Sequence, residues 1–105
     1  MSVSGTLGVA VSGLTANAVR FQVSASNVVN ADSRGHTARD VATVSQVAGP
    51  APGGVRAITF KKAEAEVEVA GEFVKMNQIS AAYTANAKVI STVEEMTGAL
   101  LDILV

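Results

Sequence analysis

Apolar residues recur every seventh position at both ends of the chain and every second position in its middle. Near the start, Leu7, Leu14, Phe21 and Val28 fall seven apart, and Val11, Ala18 and Ala25 follow the first three by four. Held over about three heptads, this spacing is the seam of a coiled-coil contact and predicts a helix over about 4–31, with Ser4 as its N-cap. Gly5, Gly8 and Gly13 each weaken that helix, so packing has to hold it. A second row, Val9, Ala16 and Val23 with Val19 nearby, points away from the first. Arg20 is the only charged side chain in residues 2–31. A helix with one seam and one partner carries a charged opposite face. This one carries Ser, Thr, Ala and Gly there, so neighbouring chains are expected to cover the second row.

In the middle, VATVSQV (41–47) and VRAITF (55–60) alternate, separated by AGPAPGG, which holds two prolines and three glycines. The pattern predicts a β-hairpin insert over about 40–62 with a loop of about seven residues. AEAEVEV continues as an extended segment over about 63–70, with three glutamates on one face. A second long helix is predicted over about 71–104. In it Met76, Tyr83, Ile90, Thr97 and Leu104 fall seven apart, and Ile79, Asn86, Val93 and Leu100 supply the partner row. The lone polar Asn86 on that row is the kind of residue that fixes register at a cost in stability. Glu72, near the start, suits the positive end of the helix dipole.

The predicted fold is therefore mainly α, a single domain over 1–105. Long N- and C-terminal helices pair as a coiled-coil-like hairpin, and a small β-hairpin insert projects between them. Composition sharpens this picture. Apolar residues make up 49% of the chain, but they include one tyrosine, three phenylalanines and no tryptophan, so a core of large side chains is not available. The net charge is −1 without a basic run, which removes the electrostatic basis for nucleic-acid binding. The absence of cysteine excludes disulfides and thiolate metal sites. No positive n-region opens the chain, so no cleaved signal peptide is expected. Ser, Thr, Asn, Gln and Arg20 interrupt the first apolar stretch, so no membrane insertion is expected either.

Candidate chemistry is sparse. His36, flanked by Asp32 and Asp40, is the only histidine, and it lacks a second imidazole or thiolate to share a metal. GPAPGG has no lysine after it and opens no helix, unlike a phosphate-binding loop. Glu94 and Glu95 are adjacent on a helix and so point apart. No enzyme activity, cofactor, metal or small-molecule substrate is expected.

"SGLTANAVRFQVSASNVVNADSRGHTARD" resembles the N-terminal signature of the bacterial flagellar rod and hook (axial) proteins. Ser12, Gly13, Leu14, Ala16, Arg20, Ser26, Asn27, Val28, Asn30 and Ala31 carry the likeness, and Gly35 and Arg39 keep part of the turn after it. Arg34 and His36 depart from it, standing where the family usually has Pro and Tyr. At the other end, "VEVAGEFVKMNQISAAYTANAKVISTVEEMTGALLDIL" is similar to the C-terminal helix of the same family. The short insert is most like that of a proximal rod protein.

The resemblance implies a structural subunit of the basal-body rod, in the periplasm, that polymerises through its terminal helices with copies of itself and other rod or hook subunits. It also implies passage through the flagellar type III export apparatus. Leu7, Val9, Leu14, Phe21, Val23, Asn27, Val28, Asn30, Phe73, Met76, Tyr83, Asn86, Ile90 and Leu100 are the expected subunit-interface residues. Asn27 and Asn30 would bond backbone or adjacent subunits where the chain leaves the helix, or simply cap it. The alternative is a small helical interaction module, a dimer or helix-swapped binding protein outside the rod.

Overall fold

The computed structural model describes residues 3–33, 35–48, 51–62 and 68–104. The elements run α1 (Val3–Val29), β1 (Arg39–Ala48), β2 (Ala51–Lys61) and α2 (Val69–Leu104). The fold is the expected one, two long helices with a small antiparallel hairpin between them. The molecule measures 62 × 28 × 15 Å, its length set by α2. At 1.5 Å per residue, α2 spans about 54 Å and α1 about 40 Å.

The helices run antiparallel. Following α1 back from Ser24 to Gly13, its partner on α2 advances from Glu72 to Asn86. Continuing that register puts Val3 opposite the turn around Val93–Met96, so roughly the last two turns of α2 extend past α1.

The seam is not the row that the largest side chains suggest. Ala10, Asn17 and Ser24, also seven apart, are the buried positions of α1, joined by Ala16 and Asn27. Leu7, Leu14 and Val28 are half-buried at its edge, and Phe21 is exposed. Small side chains win the centre because they let the two backbones come close. A Cβ on Gly13 would stand 3.1 Å from the Asn86 amide nitrogen. On α2 most of the expected rows turn inward: Ile79 is buried, and Met76, Asn86, Ile90, Val93 and Thr97 are half-buried, whereas Tyr83 and Leu100 are exposed.

The hairpin lies along α1 instead of simply projecting, and so covers much of the face that neighbouring chains were expected to cover. Ala16 is buried, and Val9 and Val23 are half-buried. The anchor is Ser12, whose hydroxyl donates to Val9 O at 2.7 Å and accepts the Val55 N–H at 3.0 Å. Gly54, at φ 87°, lies so close that a Cβ there would collide with the Ser12 hydroxyl.

The expected seven-residue loop is much shorter. Val47 pairs with Pro52 and Ala48 with Ala51, and a bulge at Gly53–Gly54 sets two residues of β2 opposite Gln46. Element ends also shift. Ser4 lies inside α1 and is not its N-cap; α1 stops at Val29, because Asn30 begins a turn; and α2 starts at Val69, two residues early. The extended segment falls mostly on 63–67, outside the described residues.

Gly54→Ala is expected to cost about 2 kcal/mol or more, from left-handed strain plus the collision with Ser12. Gly98→Ala, in open space on α2, should stabilise by about 0.5–1 kcal/mol. Urea unfolding followed by circular dichroism measures both; equal effects of the two would contradict the anchoring of the hairpin on Ser12.

Candidate interaction site

Where α1 ends, α2 begins and β1 starts, one side chain ties the three together. Asn27 is 1% exposed. Its amide nitrogen donates to Arg39 O at 2.7 Å and to the Glu72 carboxylate at 3.3 Å. Its amide oxygen accepts the Arg39 N–H at 3.0 Å. The side-chain amide thus pairs with both backbone groups of Arg39, as a neighbouring strand would. The His36 ring nitrogen Nε2 lies 3.4 Å from the same oxygen.

Glu72 is the other half of the junction. Buried at 3% exposure, its carboxylate also takes a hydrogen bond from the Ser24 hydroxyl and stands 3.7 Å from Lys75 Nζ. Its place in the first turn of α2 gives it the helix's positive end as well. A buried carboxylate needs this many partners to offset its desolvation. Lys75 reaches on to Asp40 at 3.8 Å, tying α2 to β1.

Asn30 does not enter the junction. It folds back on its own helix, donating to Ser26 O at 2.9 Å and accepting from the Ser33 hydroxyl. Of the expected interface residues, Asn27 and Asn86 sit inside the chain's own packing, and Val9 and Val23 sit partly beneath the hairpin. Phe21 and Tyr83 line one groove of about 300 Å³ beside the seam, with Ala18, Ile79 and Ser80. Phe73 is exposed on α2, and Leu100 is exposed on its overhang with Met96, Leu101 and Ile103.

Ser12, Ser24 and the backbone of Arg39 had no place in the sequence-based site. The signal for Ser24 was present, because Ala10, Asn17 and Ser24 keep the same heptad as Leu7, offset by three. Among the described residues no group of His, Cys, Asp and Glu could hold a metal, and no helix is long and apolar enough to cross a membrane.

The arrangement defines an elongated helical hairpin whose remaining surface, apolar and weakly charged, is suited to contact with other chains. Residues 64–103 match the family model described as flagellar basal body rod FlgEFG protein C-terminal, which takes in almost all of α2. Over that stretch the chain is similar to the flagellar rod family. The family is a structural one, and the likeness supports a structural role in the basal-body rod. No curated protein matches the sequence.

Asn27→Ala should destabilise the fold by about 2–3 kcal/mol, since it strands the Arg39 N–H and removes a donor from Glu72. The near-isosteric Asn27→Asp should do no better, because it turns a carboxylate on Glu72 and on the Arg39 carbonyl. Thermal unfolding at neutral pH tests the pair; an Asp variant as stable as wild type would exclude the amide-pairing account.

Proposed function

We propose that the chain is a rod subunit that polymerises through its terminal helices, with copies of itself and with other rod subunits, in the periplasmic part of the basal body. It reaches that position through the flagellar type III export apparatus. The observation that carries this reading is the apolar surface left on both helices after the chain has folded. Val11 on α1 is 49% exposed, and Phe73 and Val89 on α2 are 52% and 46% exposed. These residues stand away from the hairpin, on helices that carry few charges.

The hydroxyls on these helices support the same reading. Thr15, Thr84 and Thr92 each donate to the carbonyl four residues back, at 2.9–3.0 Å. A hydroxyl already bonded to its own helix loses little when a neighbour displaces its water. Burial of apolar area is worth about 25 cal/mol per Å², so such surfaces associate at modest concentration.

Light scattering over a concentration series tests the proposal. Wild type should grow without a plateau, as heterologous contacts that do not close require. Val11→Glu with Phe73→Glu, both at exposed sites, should keep the fold and hold the chain at low mass. A wild type that stops at a discrete dimer, unchanged in the variant, would instead favour a closed helical module.

A further inference from the structure

A second apolar row runs along α2 and stays exposed. Ala82, Ala85, Val89, Thr92, Met96 and Ala99 follow one another at alternating steps of three and four, the heptad rhythm of a helix contact. The row lies about a third of a turn round the helix from the seam that faces α1. Ala82 is half-buried at the edge of that seam, the rest are exposed, and Val89 and Met96 reach 46% and 61%. Thr92, the polar member of the row, donates its hydroxyl to Lys88 O at 2.9 Å, so its donor stays satisfied when water leaves.

Opposite charges border the row on one side. Lys88 and Glu95 are exposed and seven residues apart, each immediately before a larger member of the row, Val89 or Met96. Among the described residues neither makes an ion pair. Seven residues set them about 10 Å apart along one helix, too far to pair with each other. The other border of the row, Asn86, Val93 and Leu100, is uncharged.

We infer that this row is a contact surface for a second copy of the chain, laid antiparallel along α2 about a two-fold axis. Charge complementarity fixes both direction and register. With Val89 of each copy facing Thr92 of the other, Lys88 of each meets Glu95 of the other, which gives two ion pairs. The same register sets Met96 against Ala85 and Ala82 against Ala99, so no two bulky side chains compete for space over a contact about 26 Å long. A shift of one heptad either way would bring Glu95 against Glu95 or Lys88 against Lys88. A parallel pair would set Lys88 beside Val93 and Glu95 beside Leu100, with neither charge matched. The two-fold axis closes the contact on two copies, so it is a pairing of free chains. It does not rest on the open assembly proposed above, and it covers neither Val11 nor Phe73.

Sedimentation velocity tests the pairing on the full chain carrying Val11→Glu and Phe73→Glu, which removes the open assembly and leaves the row intact. That parent should be a reversible dimer. Adding Lys88→Glu or Glu95→Lys should weaken dimerisation by roughly tenfold or more, because either reversal turns both ion pairs into like-charge contacts. An equimolar mixture of the two reversed chains should dimerise again, since each supplies the charge that the other lacks. Both sites are exposed, so neither reversal disturbs the fold, and circular dichroism checks this. A parent that stays monomeric or grows past a dimer, single reversals that pair as the parent does, or a mixture that stays monomeric would each overturn the contact. The open assembly of wild type is judged separately, by light scattering.

Discussion

Everything in this molecule is hung on the pairing of the Asn27 amide with the backbone of Arg39. It is made at the one place where both helices and the hairpin meet. Without it the chain would leave α1 with no fixed direction, and β1 would start with an unpaired N–H and carbonyl inside the structure. With it, the hairpin is aimed back along α1, Glu72 is held beneath Ser24, and the start of α2 is pinned against the end of α1. The helix seam has less to set its register, because α1 brings only alanine, glycine, serine and asparagine to its centre. A polar junction and a close-packed small-residue seam replace the bulky core that the composition could not supply.

Much of the architecture was legible because the heptads at the two ends and the alternation between them are strong periodic signals. What the periodicity misassigned was rotation. Leu7, Leu14 and Phe21 attract attention by size, but the row three residues on carries the contact, since close helix approach selects for small side chains and not for volume. The hairpin's placement on α1 was hidden for a different reason. It depends on a single hydroxyl, that of Ser12, meeting a glycine more than forty residues away, and no local pattern encodes such a pair. Asn27 was legible as a candidate through its likeness to the axial proteins, while the identity of its partners required the fold.

The same small-residue character would let one surface serve both folding and the proposed contact with other chains. The threonines of both helices close their own hydrogen bonds, and little charge needs water around it. Such a helix is indifferent to whether its neighbour is its own hairpin or another chain. The hairpin takes one side of α1, while Val11 on α1 and Phe73 on α2 stay exposed.

The junction also spans a long stretch of chain, since Asn27 and Glu72 are 45 residues apart in sequence. Contacts of that separation cannot form until Glu72 has been made, and loops of such length close late. A nascent α1, rich in glycine and without its partner, has too little stability to persist alone. The molecule is therefore kept open by its own connectivity until α2 arrives, and it is α2 that closes the junction on a loose chain.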